Sequence, residues 1–213
     1  MLHVVTRENR HHYASELRAQ HKIRHDVYID ERRWVGLQSR DGLEFDQFDT
    51  DDTIYFLAIE NGGVVGGSRM FPTLEPHLLS TICPALAEIK GIPQAPDIYE
   101  WTRMYAIKDR RDSGRFGSGV VGEIFAGCLE YAYDEAISAL SLQFEAWWLP
   151  RLQQHGWEIK PLGLPTLING EWWLGALIPV SAEMVRSTRA FYRIQDPVLV
   201  RNGITRPLLR AVA

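Results

Sequence analysis

Ile54-Tyr55-Phe56-Leu57-Ala58-Ile59-Glu60-Asn61-Gly62-Gly63-Val64-Val65-Gly66-Gly67-Ser68-Arg69-Met70-Phe71 is the stretch that decides the fold. Residues 54–60 are rich in branched and aromatic side chains, which suit a strand. Asn61-Gly62 is a turn pair that supplies positive φ, and residues 64–71 return as a second strand. Gly66 and Gly67 inside the returning strand indicate a bulge or a close backbone approach. An early hairpin of this kind needs further strands and a helical cover.

The chain beyond it supplies both. Residues 98–107 read as a strand. In residues 120–136, Val121, Ile124, Phe125, Cys128, Leu129 and Ala132 recur at helical spacing. Residues 139–144 are apolar and read as a buried strand. A helix is expected over 148–155, ended by Gly156, with late strands over 157–164 and 176–180 and a turn at Asn169-Gly170. Residues 181–193 read as a last helix. At the other end, residues 8–22 are helix-compatible, 23–34 either continue that helix or break into a loop, and 35–53 read as loop. The proline-rich 72–97 segment holds at most a short helix near 85–89. Strands separated by helices after an early hairpin predict an α/β fold, a mixed sheet covered on both faces. No interior linker forces a division, so residues 1–213 are expected to form a single domain.

With 213 residues, 46% of them hydrophobic and 23% charged, the chain can build one core. A net charge of −4 argues against nucleic-acid binding by bulk electrostatics. Cys83 and Cys128 cannot make a disulfide framework, which suits a reducing cytoplasm. No apolar run is long enough for a membrane span, and no signal peptide is expected. The seven histidines show no metal-binding spacing, so no metal is expected. The tryptophan pairs Trp147-Trp148 and Trp172-Trp173 read as core, with a ligand chamber as the rarer use.

Four features carry chemistry. Glu44, Asp46 and Asp49 crowd three carboxylates before a strand. The run reads either as a solvated acidic loop or as a cluster neutralised by arginines or by a cationic ligand such as a sulfonium. Arg69, among apolar neighbours, is expected to be partly buried and to need a carboxylate, unless it lies on an exposed edge. In 99–105, Glu100 and Arg103 face opposite sides of a regular strand, so serving one site requires a bulge between them. A buried glutamate there either pairs with an arginine or accepts a proton from an amine nucleophile. Last, Arg110, Arg111, Arg115, Gly117 and Gly119 precede the best helix and suit a phosphate at its N-terminus, though glycine-rich turns are common there.

In order and spacing, Arg24-His25-Asp26-Val27-Tyr28, Trp34, Glu44-x-Asp46-x-x-Asp49, Gly67-Ser68-Arg69, Pro72-Thr73 and Glu100-x-x-Arg103 resemble the signature of the acyl-homoserine-lactone synthase family. The second half resembles it more loosely, through Gly156-Trp157 and Ile178-Pro179-Val180-Ser181. The resemblance implies a sheet like that of the GCN5-related N-acyltransferases, splayed in a V with a bulged central strand. It implies two substrates, S-adenosylmethionine and an acyl thioester on coenzyme A or acyl carrier protein, and no tightly bound cofactor. Residues 1–53 would form a substrate-binding flap, with Arg24, Tyr28 and Trp34 closing over S-adenosylmethionine. Glu44, Asp46, Asp49 and Arg69 would organise that pocket, Arg103 would support it, and Glu100, directly or through water, would be the base. Trp101, Thr102, Met104, Phe144, Trp147 and Trp148 fall where the acyl and pantetheine channel is expected. The family usually has phenylalanine at Tyr28 and near Cys83, and serines at Trp101 and Thr102. Members selecting 3-oxo chains tend to carry a small hydroxyl residue near Glu145. The bulky residues here suggest a short branched or aryl acyl group delivered by coenzyme A. The competing readings are a GCN5-type acetyltransferase acting on another amine, which would lack the acid–arginine set, and a non-catalytic thioester or S-adenosylmethionine sensor.

Overall fold

The computed structural model describes residues 1–111 and 119–201 with their side chains, and the backbone of 204–205. Strand β1 (Leu2–Val5) leads to helix α1 (Ala14–Arg24), which widens into a π-helical stretch, His25–Glu31. A small hairpin follows, β2 (Ser39–Arg40) and β3 (Leu43–Glu44), then the long hairpin β4 (Ile54–Glu60) and β5 (Gly63–Pro72). After helix α2 (Leu78–Thr81) come β6 (Ile98–Ala106), α3 (Gly119–Asp134), β7 (Ala139–Glu145) and α4 (Leu149–Gln154). The chain ends in β8 (Lys160–Pro161), β9 (Thr166–Ile168), β10 (Glu171–Pro179), α5 (Ala182–Tyr192), β11 (Leu199–Arg201) and β12 (Ile204–Thr205).

The main sheet runs β12-β11-β1-β4-β5-β6-β7-β10-β8, with β9 also on β10. The β1–β11 and β6–β7 pairs are parallel, and the other pairs are antiparallel. The mixed sheet is as expected. One face carries the main core: Phe56, Met70, Trp101 and Leu140 lie against Ile124, Phe125 and Leu129 of α3, with α5 packed beside it. The other face carries Val5, Tyr55 and Leu57 beneath Tyr13 and Leu17.

Two features of the sheet create the site. Parallel pairing of β6 with β7 runs only from Ile98–Ala139 to Glu100–Ser141. Beyond that the strands part, and Thr102–Met104 and Gln143–Glu145 stand on the two arms of a fork. The register between β5 and β6 also shifts between Gly67 and Arg69, and Arg103 has φ +54. The extra residue on β6 is a bulge. It turns Arg103 to the face already occupied by Thr102 and Glu100, which resolves the facing conflict in the sequence. Gly67 lets this happen, since a Cβ there would sit 2.7 Å from both Phe56 O and the Tyr105 hydroxyl.

Several local expectations change. The strand expected over 157–164 shrinks to Lys160–Pro161, because Trp157 instead buries its ring against Phe125 and donates to Thr188 Oγ1 at 2.7 Å. The strand expected from 176 begins at Glu171, paired along its length with β7 and β9. The short helix expected near 85–89 is a 3-10 turn, Pro84–Ala87, preceded by α2. The core reading of the tryptophan pairs holds for one member of each: Trp148 and Trp173 are half-buried and pack against apolar cores, while Trp147 and Trp172 are exposed.

Candidate active site

The acid run is folded back as a wall of three carboxylates and three guanidinium groups. Arg24, fully buried, gives its Nε to Glu44 at 2.5 Å and both terminal nitrogens to Asp49 at 2.7 and 2.9 Å. Arg69 grips Asp46 in the same two-pronged way at 2.8 and 2.7 Å, and reaches Asp49 at 2.7 Å. Arg103 links Glu44 at 3.1 Å to Asp46 at 2.9 Å. The Tyr55 hydroxyl donates to Asp49 at 2.9 Å, as does the backbone N–H of Asp46. Burial by itself would raise Asp49, but Arg69 and Arg24 outweigh it and hold its carboxyl far below the usual range. Asp46 is lowered against its burial by Arg69 and Arg103. Of the two readings of the acid run, the structure supports the arginine-neutralised cluster. The planar fork of arginine explains the residue choice, because lysine cannot serve two carboxylate oxygens in one plane.

The π-helical stretch brings Tyr28 and Trp34 over this wall. Tyr28 stacks on Trp34 with centroids 4.7 Å apart, and Arg103 lies 5.5 Å from the Tyr28 ring centre. The hydroxyl of Tyr28 donates to Met104 O at 2.7 Å. Where the family pattern has phenylalanine, this chain thus ties its N-terminal segment to the bulged strand. Arg32 extends the closure, meeting Glu145 on β7 at 2.8 Å.

Two cavities open in the fork. The larger, about 630 Å³, is lined by Asp46, Thr102 and Arg103 on one side and by Leu78, Cys83 and Trp147 on the other. The smaller, about 110 Å³, is walled by Trp101, Met104, Phe125, Phe144, Trp148 and Trp157. Arg32, Trp34, Thr102, Arg103, Gln143 and Glu145 border both. Trp101 is the buried floor, its indole donating to Ser68 Oγ at 2.5 Å.

Glu100 is fully buried. It accepts the Leu78 N–H at 2.8 Å, the Leu79 N–H at 2.9 Å and Gln143 Nε2 at 2.7 Å. Burial raises its carboxyl, more than these donors and nearby His77 lower it. It lines neither cavity itself. Arg110 is engaged by Glu60 at 2.7 Å, and Arg111 by Ala106 O at 2.6 Å and by Glu31. The structure brings neither to the cavities. Gly119 opens α3, while Arg115 and Gly117 lie outside the described residues. Sequence reasoning missed Arg32 and Gln143, and gave Trp173 only the rarer of its two readings, a ligand chamber. A glutamine two residues after Ser141 in the mostly apolar run 139–144 was the available signal for Gln143.

A family profile described as autoinducer synthase matches residues 8–188. The chain belongs to the autoinducer synthase family. It is 38% identical over 181 residues to the isovaleryl-homoserine lactone synthase of Bradyrhizobium diazoefficiens, covering 84% of this chain and 80% of that one. The solved structure of BjaI, a CoA-dependent acyl-homoserine lactone synthase with SAM and isopentyl-CoA, is 33% identical with a TM-score of 0.89, covering 97% of this chain and 95% of that one. The CoA-dependent acyl-homoserine lactone synthase MesI is 37% identical with a TM-score of 0.85, covering 94% and 99%. Escherichia coli ElaA, at 16% identity and a TM-score of 0.57 over 85% and 99% of the two chains, shares the fold alone. This autoinducer synthase therefore has the GCN5-related acyltransferase architecture expected for it. No helix among its described residues is long and apolar enough to cross a membrane.

Proposed function

We propose that this synthase acylates the amine of S-adenosylmethionine with a short, branched acyl group carried by coenzyme A, and then closes the product to an acyl-homoserine lactone. The observation that carries this is the pair of cavities meeting in the fork of β6 and β7: a large one, mostly apolar but bordered by Asp46 and Arg103 of the charge-balanced wall, and a small one walled by aromatic rings. About 110 Å³ suits a few carbons and excludes a long chain. The similarity to two CoA-dependent synthases supports coenzyme A over acyl carrier protein as the carrier.

In this reading S-adenosylmethionine lies in the larger cavity under Trp34, which Tyr28 backs by stacking on it. Asp46, Asp49, Arg69 and Arg24 form a wall with no spare charge, so it binds by shape and local dipoles rather than by net attraction. The amine loses a proton and attacks the thioester carbonyl, and the carbon–sulfur bond breaks to release the thiol. Glu100 is the proposed acceptor of that proton through one water, and its raised carboxyl suits the task. The Thr102 hydroxyl accepts from Arg69 Nε at 3.1 Å and so has its own proton to donate toward the carbonyl oxygen. The methionyl carboxylate then attacks its own γ-carbon, and methylthioadenosine leaves with the sulfonium electrons. That step asks mainly for positioning. A cytoplasmic location belongs to this reading, and two free thiols support it.

The test is incubation with S-adenosylmethionine and a panel of branched, aryl and straight thioesters on both carriers, followed by mass spectrometry. Joint appearance of methylthioadenosine and a branched acyl-homoserine lactone from the coenzyme A thioester is expected. A preference for long straight chains on acyl carrier protein would overturn the acyl assignment, and no methylthioadenosine with any donor would overturn the reaction.

A further inference from the structure

We infer that Gln143 receives the substrate amine at the meeting point of the two cavities, and that Glu100 sets which end of its amide faces there. The inference rests on the reaction proposed above and adds a residue to it. Gln143 stands on β7 just past the point where β7 leaves β6, and it borders both cavities. Its amide is not free to turn. Nε2 donates to Glu100 at 2.7 Å, and Glu100 is itself locked by the Leu78 and Leu79 N–H groups. Both Glu100 oxygens already accept, from Leu78 on one and from Leu79 and Gln143 on the other, so the nitrogen faces Glu100 and Oε1 faces away. Among the described residues no group donates to Oε1.

The chemistry of the junction then divides between two residues. Forming the amide bond requires an acceptor for the N–H of the attacking amine and a donor for the thioester oxygen. Thr102, whose hydroxyl oxygen already accepts from Arg69, offers the donor. Gln143 offers the acceptor. A carbonyl acceptor holds the amine with its lone pair free for attack, whereas a carboxylate in that position would hold it as an ammonium ion. Burial of the carboxylate behind the amide separates the holding of the amine from the acceptance of its proton.

Gln143→Leu removes the acceptor and leaves Glu100 in place. The expected result is a fall of about 10- to 100-fold in kcat/KM for S-adenosylmethionine. KM for the thioester is expected to stay as in the wild type. The acidic limb of the pH–rate profile is expected to move up, because the Gln143 hydrogen bond that lowers the Glu100 carboxyl is lost. Wild-type kcat/KM for S-adenosylmethionine in that variant overturns the inference, as does an equal loss toward both substrates, which marks a structural role.

A second variant covers the case of poor folding. Gln143→Met keeps the length of the side chain and removes the carbonyl acceptor. Calorimetric titration with S-adenosylmethionine alone is expected to show weakened binding. No loss of binding in that variant overturns the inference. Wild-type protein that neither binds S-adenosylmethionine nor releases methylthioadenosine defeats instead the reading of the site.

Discussion

The two walls of the active site are held in opposite ways. On one side, Glu44, Asp46 and Asp49 meet Arg24, Arg69 and Arg103 in a balanced network where every guanidinium is committed to at least one carboxylate. On the other, Trp101, Phe125 and Trp157 meet ring against ring, with Trp101 6.0 Å from Trp157 and Phe125 5.2 Å from it, and Trp148 stacks on Trp147. The first wall is specified by directional bonds and fails if one member is lost. The second is specified by volume and changes shape when one member is lost. The ionic wall is therefore suited to a constant substrate and the aromatic wall to one that varies.

Arg69→Ala tests that contrast most severely. It leaves Asp46 with only Arg103 and strips Asp49 of one of its two cations. Breaking a buried pair by removing one partner costs about 3–5 kcal/mol. Urea unfolding is expected to show a loss of that order, with methylthioadenosine release abolished. A variant that unfolds at the wild-type midpoint would show that the network contributes no stability.

Acid titration separates the two walls by pH. His155 lies behind the aromatic wall against Phe125 and Trp157, and burial first, then Arg151, lowers it to about 4. An unfolded histidine protonates near ~6.5, so as pH falls from there the unfolded state takes up a proton that the folded state refuses. Stability is expected to drop by ~3 kcal/mol down to about pH 4, where the folded state protonates too. The carboxylates of the ionic wall behave differently. With folded values below unfolded ones, Asp46 and Asp49 contribute fully above ~4 and lose their contribution only as pH falls further. Melting temperature against pH is expected to show two declines, and His155→Gln to shrink the upper one without abolishing it, because burial also lowers His21 and His3.

Glu100→Gln is expected to lower kcat by about 100-fold with a smaller effect on folding, since general base catalysis contributes roughly 10²–10⁴. A full rate at neutral pH would remove Glu100 from proton transfer.

The ionic wall was legible in the sequence and the aromatic one was not, for a physical reason. Three carboxylates between Glu44 and Asp49 and an arginine inside an apolar strand cannot both be buried alone, so each demands a partner wherever the chain folds. The charge rule therefore offered an arginine-neutralised cluster at Asp46 and Arg69 beside the solvated-loop and exposed-edge readings, and the resemblance to the family favoured it. Tryptophan makes no such demand. Trp147-Trp148 pack as well in a core as around a cavity, and only the separation of β6 from β7 decides that Trp148 lines one. Glu100 and Arg103 were legible as a problem, because a regular strand sets them on opposite faces. The solution, an extra residue at Arg103 with φ +54, depends on register, which local sequence does not state. Gln143 was hidden for the same reason.

Trp148→Ala probes the aromatic wall. The ring borders the smaller cavity and stacks on Trp147 at 4.7 Å, with Arg151 5.4 Å from its centre. Truncation enlarges the chamber without touching the ionic network. Because one methylene in an apolar pocket is worth about 10- to 200-fold in discrimination, the ratio of kcat/KM for a six-carbon over a branched five-carbon thioester is expected to rise about tenfold. An unchanged ratio would move acyl selection elsewhere.

The smallest effect is expected where the two walls are tied together. Tyr28 lies over the ionic wall through its ring and bonds the fork through its hydroxyl, which donates to Met104 O at 2.7 Å. Tyr28→Phe keeps the stacking on Trp34 and removes only that bond, so it is expected to cost about 0.5–1.5 kcal/mol. The loss should appear in the N-terminal segment rather than in the sheet, as faster amide exchange over residues 25–34, because Tyr28 and Arg32 are what anchor that stretch to β6 and β7. If exchange there is unchanged, Arg32 with Glu145 and the stacked rings hold the segment by themselves, and the hydroxyl contributes nothing to closure.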